Sequence, residues 1–326
     1  MNINAVAGTA ALPPSITDRL RIPVIAAPML RISGVDLVTA ACAAGVIGAF
    51  PTANARSVEE LDHWLTSMEQ AAARSGKPAA PHCPNLIMRQ QRFADDLACL
   101  VRHKVEIVIT SVGSPAAAVA PLHDVGCLVF ADIASLRHAE KALEAGADGL
   151  ILLTAGAGGQ TGWANPFAFV RAVRAMFDGP IVLAGGISDG VSLAATRLLG
   201  CDLAYMGTRF IATPESMASE SYRQMLVAST LDDVLLTKAF TGLETSMLRP
   251  SVVAAGLDPT NLDEAMSVER AREMYGAGSA SKQPKRWTDV WSAGHSVSGV
   301  RAITPVADLV DELAAQYDAA SRGRGA

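Results

Sequence analysis

The stretch Glu144-Ala-Gly-Ala-Asp-Gly-Leu-Ile-Leu-Leu, residues 144–153, and its near-copy Leu199-Gly-Cys-Asp-Leu-Ala-Tyr-Met, residues 199–206, decide the fold. Each reads as a helix end, a Gly that permits a left-handed cap, a small residue with Asp, and then a short apolar run without polar alternation. Runs of that kind are strands buried on both faces. Working outward, similar runs lie at 23–27, 46–50, 79–86, 105–110, 127–131 and 181–184, which with 149–153 and 203–206 makes eight. Helical spacing fills the intervals at 57–74, 89–102, 135–145, 166–177 and 190–199. Strand and helix repeated eight times predict an α/β chain with a (β/α)8 TIM barrel, a fold of about 250 residues. The rival is a doubly wound sheet, which would open with a Gly-x-Gly-x-x-Gly turn. The first strand here runs instead into Ala26, Ala27, Pro28 and Met29.

After residue 206 the alternation stops. Residues 214–228 read as a helix, 232–240 as a strand or a helix, 262–275 as a helix and 276–286 as a flexible polar connection. A last amphipathic helix at 306–320 and a frayed tail at 321–326 close the chain. The expected organisation is a barrel over 1–212 plus 302–326, with 213–301 as an additional, mostly helical subdomain beside the barrel mouth.

Composition narrows the function. The 27 basic and 32 acidic residues are scattered, for a formal charge of −5, so no positive stripe tracks a nucleic acid backbone. No apolar run is long enough to cross a bilayer, and residues 1–14 lack the marks of a secretory signal, so no membrane partner and a cytoplasmic address are expected. Five cysteines, Cys42, Cys83, Cys99, Cys127 and Cys201, form neither a disulfide framework nor a C-x-x-C metal site; they are expected to be buried thiols, with no metal.

In a barrel of this type the active site gathers beyond the C-terminal strand ends, and the loops after strands seven and eight commonly hold a phosphate. Gly185 and Gly186 follow the seventh run; Gly207 and Thr208 follow the eighth. Glycines let backbone N–H groups approach an anion, and a helix start adds its positive dipole. The pair of loops leaves nucleotide, sugar phosphate and flavin mononucleotide open.

The segments 22–29 (Ile-Pro-Val-Ile-Ala-Ala-Pro-Met) and 206–215 (Met-Gly-Thr-Arg-Phe-Ile-Ala-Thr-Pro-Glu) resemble the first and eighth strands of the nitronate monooxygenase (2-nitropropane dioxygenase) family. Asn85, residues 156–162, Gly185 with Gly186, residues 239–242 and residues 291–299 extend the resemblance along nearly the whole chain. It implies bound flavin mononucleotide (FMN), with its phosphate on Gly185, Gly186, Gly207 and Thr208. Its ring would lie along Ala27, Pro28, Met29 and Asn85, with Gly158 and Gly159 also in contact. The implied reaction is flavin-dependent oxidation of a small-molecule substrate, with O2 or another electron acceptor.

One departure stands out. Where the family has Ala-Gly-Gly-His, this chain reads Ala157-Gly-Gly-Gln, ending at Gln160. The family's histidine is proposed to remove the proton beside the nitro group, a task an imidazole suits and an amide cannot perform. The substitution points to alkyl nitronates rather than neutral nitroalkanes, or to another base. His295 is one candidate, because Ala293-Gly-His falls where relatives have Ala-Gly-Gln; His82 is a second. His63, His103, His123 and His138 read as surface residues. Alternatives are an NAD(P)H-dependent quinone or enoyl reductase on the same scaffold, and a flavin-binding protein without catalysis. No cysteine lies in 153–164, which argues against a covalent thiol mechanism on the sixth loop.

Overall fold

A computed structural model describes residues 12–322 except 75, 77 and 277. Residues 1–11 and 323–326 of the expected barrel, including most of the expected tail, lie outside the described residues; Ser321 and Arg322 complete the last helix, Val306–Arg322.

Eight parallel strands close into a barrel: Val24–Ala26, Ile47–Pro51, His82–Ile87, Ile107–Ser111, Leu128–Ile133, Gly149–Leu153, Ile181–Ala184 and Leu203–Met206. The first pairs with the eighth in parallel register, Ile25 opposite Tyr205. Several strands begin and end a residue or two later than the apolar runs suggest, because the first apolar residues belong to the turn leaving the preceding helix. Val105, for example, donates to Leu100 O, and Cys127 to Leu122 O.

Alternation along each strand divides two apolar layers. Ile25, Ile47, Ile109, Phe130, Ile151, Val182 and Leu203 pack together from seven different strands and fill the barrel. Ala131 and Ile133 pack outward with Ala139 and Ala142 of helix Leu136–Glu144. Gly149 makes room for the filling, since a Cβ there would sit 2.7 Å from the Phe130 ring. The last helix returns to the barrel and packs on helix Gly190–Leu199, where Gln316 accepts a hydrogen bond from Gly190 N at 2.9 Å.

Residues 213–301 contain helices Glu220–Ala228, Arg249–Ala254 and Val268–Tyr275. They also contain strands Val234–Thr237 and Thr245–Leu248. The second of these pairs antiparallel with Gly159–Gln160 from the loop after the sixth barrel strand, so barrel and added segment share a three-stranded sheet. At the end of the expected flexible connection, residues 276–286, of which 277 lies outside the described residues, Arg286 N donates to Tyr275 O at 2.9 Å. All five cysteines are free and buried. Among the described residues no helix is long and apolar enough to cross a membrane.

Candidate active site

The inward positions at the C-terminal ends of the strands form the floor of one cavity of about 330 Å³. Asn85, Ser111, Asp132, Leu153 and Tyr205 come from five different strands and all line it. Ser111 donates to Asn85 Oδ1 at 3.2 Å, which orients the Asn85 amide.

Every residue assigned by resemblance to the cofactor lines this cavity: Ala27, Pro28 and Met29; Asn85; Gly158 and Gly159; Gly185, Gly186, Gly207 and Thr208. The Ala27–Met29 turn is fixed by Ser33, whose hydroxyl accepts from Met29 N at 3.0 Å, and by Asn54, whose amide donates to Met29 O at 2.9 Å. Gly185 and Gly186 have φ of +133° and +70°, which favour glycine. A Cβ on Gly185 would lie 2.4 Å from Thr154 Oγ1, whereas one on Gly186 would meet nothing within 4 Å. Among the described residues the N–H groups of Gly186, Ile187, Gly207 and Thr208 have no acceptor. Asp189 caps the following helix, accepting from Ser192 N at 2.8 Å. Unpaired N–H groups beside a capped helix start make an anion cradle, and the apolar walls suit a flat aromatic ring. The residues present therefore fit a flavin phosphate and ring.

The two candidate bases separate. Gln160 is exposed and lines the cavity, its backbone held in register with Thr245. His295 is not among the lining residues. Its N–H donates to Gly156 O at 2.9 Å and its ring abuts Gly156, while the residue is exposed to solvent. Gly158 and Gly294 touch so closely that a Cβ on either would clash with the other's backbone amide at 2.8 Å. His295 therefore packs on the sixth-strand loop outside the cavity lining. His82 is also misplaced for the role. It begins the third strand, opposite the cavity end, among Thr39, Cys42 and Met68 under the outer helices, and burial lowers its pKa.

Several lining residues escape a sequence reading. Arg286 is the one cationic side chain among the described lining residues; it donates to Phe240 O at 2.9 Å, and burial lowers its pKa. Trp291 stacks on Tyr222 with ring centroids 4.9 Å apart. Val112 and Trp287 line the cavity with φ of +57° and +67°, strained values for such side chains that cluster at functional sites. Asp132 and Tyr205 lie deeper. Burial pushes the Asp132 carboxyl up to about 7 and the Tyr205 hydroxyl well above its ordinary value. A positive φ or a lone Asp at the end of an apolar run carries no distinctive sequence signal.

Comparison with known proteins agrees with this geometry. The chain is 26% identical over 324 residues to the (3aS,4S,5R,7aS)-5-hydroxy-7a-methyl-1-oxo-octahydro-1H-indene-4-carboxyl-CoA dehydrogenase of Mycobacterium tuberculosis, covering 89% of this chain and 88% of that protein. It is 29% identical over 229 residues to the nitronate monooxygenase of Paraburkholderia phytofirmans, covering 67% of this chain and 62% of that one. The fold matches the crystal structure of nitroalkane oxidase from Streptomyces ansochromogenes with a TM-score of 0.76 at 24% identity, over 95% of this chain and 99% of that one. The model of the nitronate monooxygenase family matches residues 53–316. With a closed (β/α)8 barrel carrying its cavity at the C-terminal strand ends, this chain belongs to the nitronate monooxygenase family and is a flavin-dependent oxidoreductase.

Proposed function

We propose that the chain binds FMN in this cavity and oxidises alkyl nitronates, with O2 as acceptor. The observation that carries the reading is the cavity entrance: Gln160 stands where a base would be needed, no histidine is among the described lining residues, and Arg286 supplies a cation. An anion that has already lost its proton needs a positive group and hydrogen-bond donors, not a base.

The cradle at Gly186, Ile187, Gly207 and Thr208 would hold the phosphate through N–H groups, with no side-chain cation required. Asn85, oriented by Ser111, would face the ring edge, and Ala27 and Met29 would form an apolar wall. Bound flavin supplies the electron transfer itself. Gln160 would donate a hydrogen bond to a nitronate oxygen, and Arg286 would attract the anion. Trp287, which lines the cavity with its ring 4.0 Å from where a Gly159 Cβ would be, would shield the bound anion from water.

Anaerobic mixing of the FMN-loaded protein with propyl-2-nitronate or propionate-3-nitronate tests the reading: bleaching by nitronate and slow bleaching by the neutral nitroalkane are expected. A second reading, an oxidoreductase of a CoA thioester, is favoured by the longer match to the mycobacterial dehydrogenase. Bleaching by an acyl-CoA and not by nitronates would select it. Bleaching by NAD(P)H with turnover of quinones or enones would select a reductase, and a flavin that no donor reduces would mark a binding protein.

A further inference from the structure

Asp132 is a half-buried acid of the cavity wall that the reaction proposed above leaves unused. The fifth strand runs Leu128–Ile133, and its alternation turns Leu128 and Phe130 into the barrel and Ala131 and Ile133 out to the helices. Asp132, paired in register with Ile151, therefore faces inward, one level above the fully buried Phe130. It lines the cavity, and its Oδ1 is buried without a hydrogen-bond partner among the described residues.

The groups facing it offer no charge compensation. Tyr205 from the eighth strand and Cys83 from the third are each pushed upward by its charge, in addition to their own burial. Asn85 and Ser111 are bonded to each other. No cation acts on the carboxyl, and burial alone raises it to about 7. An ionised carboxylate without a partner is expensive in such a place, whereas the neutral acid is a hydrogen-bond donor in need of an acceptor.

We infer that Asp132 is a cofactor-contacting acid of the cavity floor, whose neutral carboxyl donates a hydrogen bond to an acceptor oxygen or nitrogen of the flavin ring. This rests on the flavin reading above. Occupancy favours the protonated carboxyl, so cofactor affinity falls as Asp132 ionises, and binding in alkaline solution takes up a proton.

The test is the dissociation constant of FMN, by fluorescence quenching, from mildly acidic to mildly alkaline pH in wild type, Asp132→Asn and Asp132→Leu. The phosphate of FMN ionises identically in all three, so the ratio between proteins is the readout. In wild type the affinity should fall roughly tenfold per pH unit above about 7, relative to Asp132→Asn. Asp132→Asn keeps a donor and loses the dependence; Asp132→Leu binds weakly throughout. Identical profiles in wild type and Asp132→Asn overturn the inference while leaving the flavin reading intact. Folded wild type that takes up no FMN at any pH removes the flavin reading and this inference with it. A measurement without variants guards against misfolding: the infrared carbonyl band of a protonated aspartic acid should be present at neutral pH and shift on adding FMN. An unshifted band overturns the assignment.

Discussion

Thr208 Oγ1 accepts a hydrogen bond from the Gly294 N–H at 3.0 Å, tying the exit of the eighth strand to the segment that packs on the sixth loop. The hydroxyl proton is left free to donate toward the cavity. Thr208→Val removes the acceptor and leaves a buried N–H unpaired, a cost of about 1–3 kcal/mol. Thermal melts should show the loss and FMN titration a weaker complex, with Thr208→Ser close to wild type on both.

Gly185 and Gly186 separate fold from ligand binding. An Ala at 185 meets Thr154 Oγ1 at 2.4 Å in a strained backbone, so Gly185→Ala should lower the melting temperature in the absence of ligand. Gly186→Ala pays only the left-handed backbone penalty of about 1–2 kcal/mol, because its methyl meets no protein atom. Its larger effect should be on FMN affinity, measured by equilibrium dialysis.

His295→Ala should leave the oxidation of nitronate and of nitroalkane unchanged, since that side chain lies outside the cavity lining. Gln160→His places an imidazole at the cavity entrance and should raise turnover of the neutral nitroalkane by ~10²-fold or more, the usual worth of a general base. Steady-state kinetics on both substrates decide the matter; a nitroalkane rate that falls in His295→Ala would restore His295 as a base.

The pH dependence of stability without ligand follows from Asp132. Its folded-state pKa of about 7 lies above the ordinary 3.8, so between these values the folded chain holds a proton that the unfolded chain has lost. Stability from this group is fully present below 3.8 and is lost as pH rises through about 7. Asp132→Asn should therefore match wild type in acid and exceed it in mild alkali by a few kcal/mol, at about 1.4 kcal/mol per pKa unit. Chemical denaturation across pH measures it.

Arg286→Met should raise KM for an anionic nitronate and flatten its salt dependence, with kcat less affected. An unchanged KM would remove the guanidinium from substrate binding.

The sequence by itself determined the barrel and the end of it that carries the cavity. Buried parallel strands must be nearly continuous apolar runs, and Gly185 and Gly186 mark a turn whose backbone takes the left-handed values that favour glycine; both are local properties that survive in one dimension. The place of Asp132 was not local. The apolar run ends at Ala131, but pairing with the sixth strand carries the fifth to Ile133, and that extension turns the carboxyl inward. Nor could sequence position tell Gln160 from His295. Both sit in glycine-rich loops, and only the close approach of Gly158 to Gly294 decided which side chain lines the cavity and which faces solvent. The strand joining Gly159–Gln160 to Thr245–Leu248 was hidden for the same reason: a pairing across so many residues is stabilised by tertiary contacts that no local pattern encodes.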